Sequence, residues 1–176
     1  MSAQIDVAQL QHARGQWPAH RCELVAGAIT ISPPRGRWQE LAVSRLSTLL
    51  DRATPAGDGQ VLVDAEVVLG PTTVVRPDLV VVGGGHPHGL PELVVEVLDR
   101  SRRAVVTANM RAYASAGIPA VWFVDPLAPS LTAFALTTDT SGVVDLVERA
   151  SARGDEVLVL TEPFRVAVRP SGLGIE

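Results

Sequence analysis

Two stretches of this chain, VVRPDLVVV (74–82) and PELVVEVL (91–98), are aliphatic almost throughout yet carry acidic side chains. Short valine-rich runs of this kind fit strands inside a sheet, because β-branched side chains pack well on a pleated surface and a helix needs a longer segment. Alternation sorts the second run into two faces, with Glu92, Val94, Glu96 and Leu98 on one and Leu93, Val95 and Val97 on the other. A buried carboxylate there needs a cation, a shell of hydrogen-bond donors or solvent, since its desolvation is otherwise uncompensated. Asp78 is the second residue of PDLVVV, behind a proline that favours a strand start or edge. If the two strands pair, Asp78 and Glu96 converge. Two carboxylates at neighbouring strand ends make a natural Mg²⁺ site and suit metal-assisted hydrolysis of a phosphate. The same spacing also fits a solvated or arginine-paired face with Asp78 in a turn.

Composition narrows the alternatives. The chain has 176 residues, 47% of them apolar and 4% aromatic, which supports one domain over 1–176 with a real hydrophobic core. Residues 1–20 read as an N-terminal extension to it. No apolar run reaches the roughly 18 residues of a membrane span, and the polar start has no signal-peptide core, so a cytoplasmic location is expected. The single cysteine, Cys22, excludes an internal disulfide and a multi-cysteine zinc site, and reads as a small apolar residue. All 15 basic residues are arginine. Without lysine there is no Schiff base, no Walker lysine and no catalytic ammonium. A net charge of −4 argues against binding nucleic acid over the whole surface, but leaves room for a local arginine patch.

Along the chain, CELVAGAITISPP (22–34) reads as two strands around a turn at Ala26-Gly27. From Trp38 to Ala53 the apolar positions Ala42, Leu46, Leu49 and Ala53 recur at helical steps, with Arg45 and Arg52 off that stripe. QVLVDAEVVL (60–69) and VVRPDLVVV (74–82) are each expected to be one strand, GGGHPHGLP a loop, and ELVVEVL a third strand. A helix is predicted from about Arg102 to Ala116, stopped by Gly117 and Pro119. AVWFVDP (120–126) is a short apolar strand, with Trp122 and Phe123 in the sheet core. Strands near 131–136, 143–148, 156–160 and 164–168 are expected to form an antiparallel meander. The expected architecture is α/β (α+β), a mixed central sheet flanked by two main helices, with an N-terminal hairpin and C-terminal antiparallel strands.

These segments resemble the Uma-two family, a restriction-endonuclease-like branch of the PD-(D/E)XK nuclease superfamily. CELVAGAITISPP is similar to the family's opening Tyr-Glu-Leu-x-x-Gly hairpin, VVRPDLVVV carries its Pro-Asp motif, and PELVVEVLDRS resembles its acid-bearing strand. YASAGIPAVWFVDP is similar to its Tyr-Ala-x-x-Gly signature, and LTEPFRVAVRP to its closing strand. The resemblance implies a restriction-enzyme-like fold and a Mg²⁺- or Mn²⁺-dependent endonuclease hydrolysing DNA phosphodiester bonds, with DNA and a second copy of the chain as partners. It makes Asp78 and Glu96 metal-binding acids, the Val97 carbonyl a further ligand, and Glu23 a residue that orients a metal-bound water.

The departures from the family pattern fall where catalysis would occur. The superfamily lysine, two residues after the second acid, is Leu98. The family's alternative, an Asp, Lys and Tyr stripe on the following helix, reads Val105, Asn109, Tyr113. The usual histidine opening the first long helix is Trp38, and the acid at 92 is Glu. Removing one preorganised stabiliser typically costs ~10²–10³ in rate, so these changes put efficient catalysis by the endonuclease in doubt and leave a degenerate member acting as a binding or interaction module as the alternative. Arg102, on nearly the same helical face as Asn109, is a candidate substitute cation that could stabilise charge but not act as a base. Arg100, Arg102 and Arg103 at the helix start are candidates for a DNA backbone, or else a solvated run. His86-x-His88 has zinc-ligand spacing without an obvious third ligand, which favours a plain loop.

Overall fold

The computed structural model describes residues 7–55, 59–83, 89–98 and 103–174. It opens with helix α1 (Val7–Gln16), followed by the hairpin β1 (Arg21–Val25) and β2 (Ala28–Ser32). The hairpin turns at Ala26 and Gly27, whose φ values of 50° and 77° suit the two-residue turn that matches strand twist. Helix α2 (Arg37–Ala53) follows as its periodicity predicts, burying Ala42, Val43, Leu46 and Leu50.

The next region corrects an expectation. Residues 60–69 are not one strand but β3 (Gly59–Val63) and β4 (Val67–Gly70), and 74–82 are β5 (Thr73–Val75) and β6 (Leu79–Gly83). Both runs break at the same level. Asp64 takes a left-handed φ of 55°, and its N–H donates at 3.2 Å to the carbonyl of Asp78, the residue that follows Pro77. One long hairpin thereby folds over a corner. β3 and β6 join a six-stranded sheet, while β4 and β5 join a four-stranded one with order β2-β1-β5-β4.

The six-stranded sheet runs β10-β9-β8-β7-β6-β3 and includes β7 (Leu93–Val97), β8 (Ala120–Asp125), β9 (Ser130–Thr138) and β10 (Val144–Arg153). β7 and β8 are parallel, joined by helix α3 (Arg103–Ala116), and the other pairs are antiparallel, so the sheet is mixed as expected. The C-terminal meander is also corrected. β11 (Leu158–Leu160) and β12 (Val166–Val168) pair separately and carry Leu160, Val166 and Val168 into the α2-side core instead of extending the sheet beyond β10.

Two apolar layers hold the sheet. Leu93, Val95 and Val97 face α2 with Leu46, Leu50 and Trp122, while Val94 and Val121 face α3 with Tyr113 and Ile118. Alternation in β7 therefore sends Glu96 to the α3 side, on the face with Val94 that the sequence pattern gave it. A third cluster seats α1, whose Leu10 and Ala13 pack on Cys22, Leu24 and Val74. No sequence signal announced α1, because its buried stripe is only that i, i+3 pair among polar residues. No described helix is long and apolar enough to cross a membrane.

Candidate active site

Asp78 and Glu96 meet at the folded corner. β6 and β7 pair with Leu79 opposite Val95, which brings the residues one step outward, Asp78 and Glu96, to the same end of the ladder. Asp78 Oδ2 accepts the Val97 backbone N–H at 2.7 Å, locking the acid onto the strand that carries Glu96. Both side chains are fully buried.

Glu96 Oε1 accepts the Tyr113 hydroxyl at 2.6 Å. The stop signal of α3 sets this contact. Gly117 takes a φ of 84°, its N–H bonds the Ala114 carbonyl, and the Ile118 N–H bonds the Tyr113 carbonyl, which is the Schellman arrangement. Burial raises the Tyr113 pKa well above the ordinary phenol value, and the charge and hydrogen bond of Glu96 add to this, as do the charges of Glu23 and Asp78. Tyr113 is thus a fixed hydrogen-bond donor to the acid.

The cations come from residues the sequence reading passed over. On β1, Cys22 and Leu24 face α1, so alternation sends Arg21 and Glu23 to the other side, towards the acids. Arg21 is 7% exposed; its Nη2 donates to Asp78 Oδ1 at 2.7 Å and to Asp64 Oδ1 at 2.9 Å, while Nη1 lies 4.0 Å from Glu96 Oε2. Arg35, just before α2, donates to the same Asp78 oxygen at 3.1 Å, to both oxygens of Asp64, and to Glu40 at 3.0 Å. Burial works to lower the Arg35 pKa, but the hydrogen bonds to Asp64 and Asp78 outweigh it and leave the group above its ordinary value. Burial likewise pushes Asp64 upward, and the hydrogen bond from Arg35 with the surrounding guanidinium charges overrides that and holds it below the usual carboxylate range. Asp64, at the left-handed corner, therefore works as a hub; Arg76 Nε is 3.8 Å from its carboxylate and donates to its carbonyl at 3.1 Å.

Of the other sequence candidates, Glu23 is buried beside this cluster and accepts the Arg76 backbone N–H at 2.8 Å. The Val97 carbonyl accepts Gln39 Nε2 at 3.3 Å, and Gln39 Oε1 accepts the Gly36 N–H that opens α2. Asn109, one turn before Tyr113, is fully buried, and neither amide atom has a hydrogen-bond partner among the described residues. Val105 is half-buried. Trp38 lies under the Arg37 guanidinium, 5.3 Å from its carbon, and makes a cation–π contact where the family places a histidine. Cys22 is buried in the α1 cluster, and burial pushes its thiol pKa up. Arg100, Arg102, His86 and His88 lie outside the described residues, as does the Arg103 side chain. Among the described residues, Arg21 faces both Asp78 and Glu96, and Arg35 faces Asp78. The available signal was the i, i+2 spacing of Arg21 and Glu23 on a hairpin strand.

Carboxylate and carbonyl oxygens suit a hard divalent cation. As arranged, however, the set does not fit one. Both Asp78 oxygens and Glu96 Oε1 hold donors, a guanidinium stands between the two acids, and Gln39 takes the Val97 carbonyl. Among the described residues no group of three or more His, Cys, Asp or Glu side chains is placed to hold a metal ion.

A mixed sheet between two helices, with paired acids at adjacent strand ends, defines a protein of the restriction-endonuclease-like class. A crystal structure described as a putative nuclease belonging to DUF820, from Anabaena variabilis, has this fold, with a TM-score of 0.66 over 86% of this chain and 88% of that one at 14% identity. Residues 7–169 match the Uma2 family, described as "Putative restriction endonuclease", and the chain belongs to that family. No curated protein matches it. Restriction-endonuclease-like proteins generally use divalent metals.

Proposed function

We propose that this chain is a nuclease-fold protein whose acid centre no longer hydrolyses phosphodiesters, and that it acts as a binding or interaction module directed at DNA. The observation that carries this reading is Arg21, whose buried guanidinium bridges Asp78 and Glu96 where a family enzyme would need a cation with open coordination positions. A guanidinium stays protonated and fills its site with fixed donors, so it neutralises the acids without activating water. The missing lysines at 98 and 109 agree with it.

A second reading, a Mg²⁺- or Mn²⁺-dependent endonuclease acting on DNA, draws support from charge. Among the described residues, the carboxylates of this connected cluster (Glu23, Glu40, Asp64, Asp78, Glu96) outnumber its guanidiniums (Arg21, Arg35, Arg76). A Mn²⁺ titration paired with a plasmid-cleavage assay separates the two readings. The degenerate reading expects no heat of binding that disappears in Asp78→Asn, and intact plasmid with the wild-type chain. Asp78-dependent Mn²⁺ binding together with nicked plasmid would establish the second reading.

The proposal includes a homodimer. β10 is the outer strand of the large sheet and shows exposed Val144 and Val147, a surface suited to strand pairing. A monomeric mass in sedimentation at high concentration removes that part.

A further inference from the structure

Beside the acid centre, on its outer side, lies a cavity of about 240 Å³ lined by His20, Arg21, Arg35, Glu40, Asp64 and Arg76. Three guanidiniums reach it from three separate elements: β1, the segment before α2, and the segment between β5 and β6. Ala19 and proline rings at 18, 33 and 34 form the rest of the wall, and the prolines supply no N–H donors. The guanidinium donors there exceed what one carboxylate can accept. Asp64 serves Arg21 and Arg35 through hydrogen bonds and Arg76 at longer range, while Asp78 takes one further bond from each of Arg21 and Arg35 and Glu40 one from Arg35. Arg21 Nη1 is buried without a hydrogen-bond partner, 4.0 Å from Glu96 Oε2 on the inner side. The Arg76 side chain is 44% exposed, and its terminal nitrogens have no hydrogen-bond partner among the described residues.

We propose that this cavity is an oxyanion seat for a phosphate group, and that the Asp64 carboxylate occupies the guanidiniums in the ligand's absence. A phosphate offers more acceptor oxygens than a carboxylate, in a geometry that guanidinium forks match in pairs. It can therefore serve Arg21, Arg35 and Arg76 together, where Asp64 leaves donors unused. Asp64 is the group to be displaced, because it is partly exposed on the corner while Asp78 is fully buried and tied to the Val97 N–H. The seat does not depend on whether Asp78 and Glu96 hydrolyse anything. Both a free phosphate and the phosphodiester of a nucleic acid carry the required chemistry.

Calorimetric titration of the full chain at low ionic strength tests this, with inorganic phosphate in one arm and a single-stranded thymidine oligonucleotide in the other. Arg76→Gln, at a half-exposed position that leaves the fold intact, is expected to weaken phosphate binding roughly tenfold, the worth of one charge-assisted hydrogen bond. Asp64→Asn is expected to tighten binding, since it removes the competing carboxylate; general structural damage would weaken it. Binding in both arms assigns the seat to nucleic-acid phosphate, and binding of inorganic phosphate alone assigns it to a free phosphate ligand. The proposal is overturned if the wild-type chain binds in neither arm, if Arg76→Gln leaves the affinity unchanged, or if a folded Asp64→Asn chain binds more weakly.

Discussion

Replacing Arg21 by methionine removes the charge at the centre while keeping much of the side chain's length. The guanidinium bonds Asp78 at 2.7 Å and Asp64 at 2.9 Å and faces Glu96 at 4.0 Å, almost wholly shielded from water. Breaking a buried ion pair from one side costs about 3–5 kcal/mol, because the remaining charge stays buried. Arg35 still holds Asp78 at 3.1 Å, so the loss belongs at the lower end, about 3 kcal/mol. The variant also removes the guanidinium that faces Glu96 at 4.0 Å. Urea unfolding followed by tryptophan fluorescence, with and without MnCl₂, measures both consequences. The variant should lose about 3 kcal/mol, and Mn²⁺ at ~100 times its dissociation constant should return ~2.7 kcal/mol if the vacated oxygens now take the ion. The wild-type midpoint should not move with Mn²⁺. The reasoning is refuted if Mn²⁺ stabilises the wild-type chain as much as the variant, or if Arg21→Met costs no more than a surface ion pair, about 1 kcal/mol.

Three further outcomes follow from the same geometry. Asn109→Leu removes two buried amide atoms that lack hydrogen-bond partners among the described residues, so it should leave stability unchanged or raise it by about 1 kcal/mol or more in urea unfolding; a clear loss would mean the amide is satisfied. Tyr113 is the only tyrosine, so the near-ultraviolet tyrosinate signal reports it alone. Its folded pKa is raised, so below the unfolded value of about 10 both states are neutral, and as pH rises above that the unfolded state ionises first and stability falls. Tyrosinate should therefore appear together with alkaline unfolding, and its appearance in a still-folded chain would contradict the burial. Leu10→Ala should cost about 2–5 kcal/mol by emptying the contact that seats α1, measured by the same urea titration, and a loss near zero would show that α1 is not docked there.

Much of the centre was legible because it rests on local rules. Alternation placed Glu96 on the face opposite Leu93, Val95 and Val97, and the paired strands brought Asp78 beside it. Gly117 ended α3, and that stop set the turn on which Tyr113 reaches Glu96. The misreadings have local causes too. Asp64 and Pro77 sit inside valine-rich runs that look continuous, so the corner between the sheets read as two long strands. Helix α1 buries too narrow a stripe to show a period.

The sequence by itself determined helices α2 and α3, strands β7 and β8, the face that Glu96 takes on its strand, and that arginine is the only strong cation available to the acids. Which arginine would serve was decided only in three dimensions. Arg21 meets Asp64 and Asp78 across 43 and 57 residues of chain, and Arg35 reaches them across 29 and 43. These contacts exist because β1 pairs with β5 and the long hairpin bends at Asp64, bringing the end of one sheet over the end of the other. Periodicity is a property of neighbours along the chain and carries no record of such meetings. A guanidinium is chosen by the electrostatics of the place where it arrives, and the fold alone sets that place.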